Sequence, residues 1–226
     1  MPRTANVCAA RAFYHAACGG ARKEPLFVQE EDFAGFLETL DAGLIRFEAR
    51  LVAYCVMRTT WHLLIGPFGN RRLAELVEWV SATHSVRWRK VRGVGEGIPV
   101  YEQSAITTRL ADIAALVPMS RYVERCPKSA GLVARAEDWP WSSLSQRRGV
   151  SRIVGLTPAA FLASDAWVEY VNAPITRDEQ VRDAWSRRRR QRASPAVARR
   201  RTVGRLAARG DDLSTDASRQ TGTSVD

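Results

Sequence analysis

The chain has 226 residues, a hydrophobic content of 46% and a formal charge of +10. That is enough apolar material for a real core, in one domain with extensions or in two small domains. No run of about 18 apolar residues exists, which argues against a membrane span, and His15 interrupts the weak apolar stretch near the N-terminus, so no signal peptide is read there.

In chain order, "RAFYHAAC" (11–18) reads as a short strand. In "QEEDFAGFLETLDAGLIRF" (29–47), Phe33, Phe36, Leu37, Leu40, Leu44, Ile45 and Phe47 have helical spacing. Acids gather in the first turn of that helix, where they complement its dipole. "RLVAYCVM" (50–57) and "WHLLIGP" (61–67) are rich in strand formers and read as a hairpin or two central antiparallel strands. A long helix follows over 70–90, capped by Asn70, with Leu73, Leu76, Val77, Val80, His84 and Trp88 on one face. Gly93, Gly95 and Gly97 end it in a loop. "IPVYEQSAI" (98–106) is the expected last strand, and residues 107–133 are expected to be helical with a break at Pro118. "AEDWPWSSL" (136–144) reads as a compact turn whose tryptophans pack on the body.

Strand, helix, strand, strand, helix, strand is the ferredoxin-like βαββαβ order, an α+β sandwich on an antiparallel sheet. Further helices follow it. The expected division is a main domain over 1–150, a helical extension over 151–186 and a disordered Arg-rich tail over 187–226. Between Arg187 and Arg209 stand ten arginines and no acid, whereas 210–226 carries four Asp and one Arg. Residues 1–186 therefore hold only +3 of the charge. The tail suits a polyanion such as DNA, RNA or anionic lipid, or it is a solvated segment with no partner.

Cys8, Cys18, Cys55 and Cys126 lack zinc-site spacing. Reduced, buried thiols in a cytoplasmic protein are expected. The three glycines at 93, 95 and 97 follow a helix rather than a strand, which excludes a dinucleotide fingerprint. Tyr122 and Cys126 lie one turn apart on a predicted helix, with Arg121, Arg125 and Lys128 beside them. Such a neighbourhood could lower the pKa of a phenol and attract a phosphate, although most Tyr and Cys at this spacing are packing residues. His62, at the start of a strand with Trp61 and Leu63 facing the other way, and His15, on the first strand, each read more readily as structural than as ligands. His84 lies on an apolar helix face and reads as a core or cap residue.

These pieces together resemble the REP-associated tyrosine transposases, within the HUH single-strand transposase superfamily. The resemblance runs through "FYHAACGG", "LFVQEEDFAGFLETL", "AYCVMRTTWHLLIGP", "ATHSVRWRK", "VYEQ", "SRYVERCPKSAGLVARAEDWPWSSL" and "VNAPITRDEQVRDAW", roughly residues 1–190. It implies that Tyr122 matches a nucleophile that attacks a DNA phosphodiester and becomes joined to the 5′-phosphate. It also implies that His62 matches the second of two histidines holding Mg²⁺ or Mn²⁺, an ion that polarises the phosphoryl oxygen for in-line attack. The covalent phosphotyrosine conserves bond energy for rejoining.

The chain departs from the family at the chemical positions. Thr60 stands where the first histidine is expected, and Cys126 where the family has the Asn that completes the metal site. Arg58 and Thr59 replace Pro-Asn, and Gly19 replaces an Arg. Glu102-Gln103-Ser104-Ala105 replaces Gln-Gly-Arg-Phe, with Tyr101 kept. One imidazole, one hydroxyl and one thiol form a poor cage for a hard cation. The expectation is therefore weak or absent nicking by a decaying or repurposed copy. The chain is expected to bind hairpin or single-stranded DNA as a monomer or homodimer. Candidate contacts are Arg87, Trp88, Arg89, Lys90 and Arg92, with Arg121 and Arg125 near Tyr122. A non-catalytic nucleic-acid-binding module and an inert remnant of a mobile element are the competing expectations.

Overall fold

A computed structural model describes residues 12–21, 25–67, 73–102, 104–149, 154–157 and 160–176. The described elements begin with strand β1 (Tyr14–Gly19), helix α1 (Glu30–Arg46), strands β2 (Ala49–Val56) and β3 (Thr60–Pro67), helix α2 (Leu73–Arg92) and strand β4 (Ile106–Arg109). Helices α3 (Leu116–Ser129), α4 (Ser143–Arg147) and α5 (Asp165–Asn172) follow, with single 3-10 turns at Ala136–Asp138 and Ala160–Ala163. The sheet is antiparallel with order β2-β3-β1-β4, the ferredoxin-like arrangement expected from the element order. No described helix is long and apolar enough to cross a membrane.

The two faces of the sheet follow from the two-residue period of strands. Tyr14, Ala16 and Cys18 of β1, Tyr54 and Val56 of β2, and Trp61, Leu63 and Ile65 of β3 point to one side, where α1 and α2 cover them. Gly43 lets these two helices approach closely, since a Cβ there would lie 2.8 Å from Val80 Cγ2. On the other side, Ala53, Cys55 and Leu64 meet Val123 and Cys126 of α3, Leu144 of α4, and Trp167, Val168 and Val171 of α5. A register shift between Leu51 and Ala53 lets Val52 join the same face as Ala53. The first compact unit runs to Pro174, and of the second only Ile175 and Thr176 are described. Val154 and Leu162 sit in the same cores as residues before position 150. The Asn70 cap and the expected tail boundary at 187 lie outside the described residues.

Two sequence expectations need correction. The last strand is not 98–106. Tyr101 makes one bridge to Gly20, and the ladder with β1 resumes only at Ile106 and runs to Arg109. The polar stretch beginning at Glu102 separates the two. The helix expected over 107–133 is Leu116–Ser129, and Pro118 does not break it. Pro118 lies in the first turn, where the missing N–H would have had no intrahelical partner anyway. The turn at 139–142 folds back over the edge of β2: Val56 N–H donates to Trp141 O at 2.9 Å, and Trp139 Nε1 donates to Val56 O at 2.8 Å. An otherwise open strand edge is thereby covered.

Candidate functional site

His62 lies on β3 opposite Ala17 of β1 and Cys55 of β2, on the face that α3 covers. His15 pairs with Leu64 in the same register, which makes it a diagonal neighbour of His62 on that face. The two rings meet with Nε2 of His15 3.2 Å from Nδ1 of His62. Their centroids are 5.4 Å apart and their planes differ by 10°. Both residues are buried, at 9% and 3% exposure. Tyr122, half-buried on α3, sets its ring edge-on to both imidazoles, with centroids 5.7 Å from His15 and 5.8 Å from His62. Phenol and imidazole thus lie on one side of the sheet although 60 positions separate them in the chain.

His15 was discounted in the sequence, where it stood alone between apolar neighbours. The available signal was its parity on β1, which points it away from Tyr14 and Ala16. Only the strand pairing shows that this direction is also that of His62.

Cys126 follows Tyr122 by one turn and donates its Sγ–H to Tyr122 O at 3.2 Å. The thiol is thereby directed along its own helix. Cys55, across from His62, is fully buried, and burial drives its thiol pKa well up. Thr60 begins β3 opposite Gly19, and an added Cβ on Gly19 would lie 3.6 Å from Thr60 Cγ2. Mg²⁺ and Mn²⁺ are held chiefly by carboxylates, carbonyls and waters. Here the two imidazoles face each other and the thiol is hydrogen-bonded. Among the described residues no group of three His, Cys, Asp or Glu comes together to hold a metal. This donor set does not fit either ion.

Behind Tyr122, α3 is tied down by charge. Arg121 donates to Ala173 O at 2.9 Å and Pro174 O at 3.2 Å and stacks on Tyr170 at 4.3 Å. Arg125 donates to Val171 O, and Lys128 to Asn172 O at 3.1 Å. Three cations spaced along one stripe of α3 thus take up the carbonyls at the C-terminal end of α5, where a helix dipole favours positive charge. Arg121 is only 4% exposed. On the next face of α3, Glu124 is fully buried. It accepts hydrogen bonds from Ser143 Oγ at 2.6 Å, Trp167 Nε1 at 2.7 Å and the Arg147 guanidinium. Burial pushes its carboxyl pKa up, against the pull of Arg147, Ser143 and Trp167.

The basic stretch of α2 lies on the opposite face of the sheet. Arg87 pairs with Glu38 at 2.8 Å, and Arg89 donates to Ile98 O at 2.8 Å. Arg92 grips Asp32 with two hydrogen bonds of 3.0 and 2.7 Å. Trp88 is half-buried, donates to Leu26 O at 2.8 Å and carries the Arg92 guanidinium 4.3 Å above its ring. Lys90 is exposed. The structure therefore brings Tyr122 and His62 together with His15, with Cys126 on the next turn of α3, and keeps Arg87 to Arg92 apart from them.

No protein-family model and no curated protein matches the sequence. Among solved structures, a REP-associated tyrosine transposase bound to a REP hairpin is similar over 70% of this chain and 92% of that one. The TM-score is 0.52 and the identity 12%. A putative transposase from Deinococcus radiodurans overlaps 55% of this chain and 96% of its own, with a TM-score of 0.38 and 17% identity. A tRNA(His) guanylyltransferase from Saccharomyces cerevisiae overlaps 78% and 77%, with a TM-score of 0.39 and 10% identity. The likeness to the first is one of fold, and the other two are too distant to carry an argument.

Proposed function

We propose that this chain binds hairpin or single-stranded DNA as a tyrosine-transposase-like protein whose strand-cleavage step is impaired. One observation carries the reading: Tyr122 of α3 sits against His62 of β3, ring centroids 5.8 Å apart, on a ferredoxin-like sheet. A phenol beside an imidazole is equipped to meet a phosphodiester, one group as nucleophile and the other as hydrogen-bond partner of an anionic oxygen. What the site lacks is an oxygen-rich cage for a hard cation, and with it the charge neutralisation that in-line attack on a phosphodiester draws on. Binding without efficient cleavage follows. Arg87, Arg89, Lys90, Arg92 and Trp88 are the candidates for tracking a backbone on the α2 side, where Arg87 and Lys90 are exposed. Arg121 and Arg125 hold α5 and act on DNA only through the placement of Tyr122. The ten arginines of 187–209 add sequence-independent attraction.

The test is fluorescence anisotropy with labelled hairpin and unstructured DNA across a salt series, followed by denaturing gels after incubation with Mn²⁺. The expected result is hairpin preference that persists at moderate salt, with little or no covalent adduct. The double substitution Thr60→His with Cys126→Asn is expected to raise the adduct, and Tyr122→Phe to remove it. Loss of hairpin preference at moderate salt refutes the binding reading. An adduct as abundant in the unsubstituted chain as in the double variant refutes the impairment.

A further inference from the structure

We propose that Phe161 and Tyr170 form a stacking surface for the unpaired bases of a DNA strand. This names a ligand contact for the DNA-binding reading above and rests on that reading.

Among the described residues, Phe161 and Tyr170 are the only exposed aromatic side chains, at 51% and 39%. Every other described Phe, Tyr and Trp is buried or half-buried. The two meet the same ring. Trp167 lies 5.7 Å from Phe161, nearly perpendicular to it at 85°, and 5.4 Å from Tyr170. Trp167 is itself buried and fixed from two sides. Its backbone N–H donates to Ser164 Oγ at 3.2 Å, and its indole N–H donates to the buried Glu124 carboxyl at 2.7 Å. The exposed rings therefore stand on a rigid base, and a planar ligand that binds there has little side-chain freedom left to freeze out.

The chemistry around the rings selects the ligand. The exposed positions between 161 and 170 are Phe161, Ser164, Asp165, Ala166, Glu169 and Tyr170. None carries an aliphatic side chain larger than a methyl group, which suits neither an apolar helix nor a lipid surface. Asp165 pairs with Arg148 at 2.7 Å and Glu169 with Arg135 at 2.6 Å, so a guanidinium matches each carboxylate. Arg121 adds a third guanidinium, 4.3 Å over the Tyr170 ring. Exposed ion pairs are weak in water, so a phosphate can compete for Arg148 and Arg135. Flat rings beside a surplus of positive charge match a single strand, whose bases stack on the rings while its phosphates meet the cations.

Helix α2 offers no equal surface. Trp88 is half-buried, its N–H donates to Leu26 O, and the Arg92 guanidinium lies over its ring. The Phe161 and Tyr170 rings also lie on the Tyr122 side of the sheet, since they pack on Trp167 and Arg121 directly precedes Tyr122.

Fluorescence anisotropy at moderate salt with three labelled DNAs tests this: a blunt hairpin, the same hairpin with a short thymidine tail, and the hairpin with an abasic tail of equal length. The thymidine tail is expected to tighten binding at least about fivefold, and the abasic tail, which keeps the phosphates, to give no such gain. Phe161→Leu with Tyr170→Leu is expected to remove the gain, and Phe161→Trp with Tyr170→Phe to keep it. Thermal denaturation checks that each variant is folded. In the unsubstituted chain, a tail carrying 5-iodo-2′-deoxyuridine is expected to photocrosslink within 161–170. Equal gains from the two tails, a gain that survives the Leu substitutions, or crosslinks confined to other segments overturn the inference. So does a dimer in size-exclusion chromatography that the Leu substitutions dissolve, because the rings then serve a second copy of the chain. If blunt and tailed hairpins bind alike, stacking fails and the DNA reading stands. If none of the three binds, the DNA reading fails and this inference falls with it.

Discussion

The two faces of the sheet are built on different physics. The α1/α2 face is an apolar and aromatic core that contains one imidazole, His84. That ring is kept neutral by burial, packs 5.3 Å from Phe27 and shares a 2.7 Å hydrogen bond with the Tyr101 hydroxyl. The α3/α5 face is organised by buried charge: a carboxylate–guanidinium node at Glu124 and Arg147, and a row of cations on the C-terminal end of α5. An apolar face tolerates small shifts of its helices, because burial has no direction. A charged node does not, because each group left without its partner is costly. The helix that carries Tyr122 belongs to the second kind, so the position of its phenol is set by directional bonds.

The sharpest way to break this contrast is Glu124→Gln. It leaves Arg147, whose side chain is 7% exposed, buried without its counter-charge. The expected loss is about 3–5 kcal/mol in urea denaturation. A loss below about 1 kcal/mol would show that the node is not what holds α3.

The apolar face answers to pH. Burial lowers the pKa of His84 from 6.5 to about 4. Between those values the unfolded chain binds a proton that the folded chain does not. Stability therefore falls as pH drops from about 6.5 to about 4, by about 3 kcal/mol over the whole window. Urea midpoints across that range for the unsubstituted chain and for His84→Leu isolate the effect, since carboxylates contribute alike to both. Equal slopes would remove His84 from the account.

A smaller and finer comparison sets two arginines against each other. Arg121→Met removes a buried guanidinium from the carbonyls after α5 and is expected to cost about 1–2 kcal/mol. Arg87→Met removes an ion pair whose partners are 49% and 60% exposed, and it should cost no more than about 0.5 kcal/mol. Thermal melts of both variants rank them, and a reversed order would contradict the division of labour between α3 and α2.

Much of the fold was legible in the residues. Phe33, Phe36, Leu37, Leu40 and Leu44 mark the buried face of α1 by spacing, although Ile45 from the same set is exposed, and alternation along β3 separates Trp61 and Leu63 from His62. The errors arose where local signals compete. Pro118 reads as a breaker until its place in the first turn is known, and the strand after α2 is split by a polar stretch that periodicity does not register. Of the side chains gathered on the α3 face, Tyr122, His62 and Cys126 were singled out through the family resemblance. His15 was read as structural, and its contact with His62 was not foreseen because nothing within a few residues of it hints at a partner 47 positions away.

Composition and periodicity determined on their own the order of the elements, the inward face of each and the concentration of positive charge in 187–209, because these depend on neighbours along the chain. Only the tertiary structure decided that His15 meets His62, that Arg121 and Arg125 are occupied by the end of α5, and that the basic stretch of α2 lies across the sheet from Tyr122. Those facts depend on strand register and helix docking. There a shift of one residue reverses which side a group faces, and no local pattern records it.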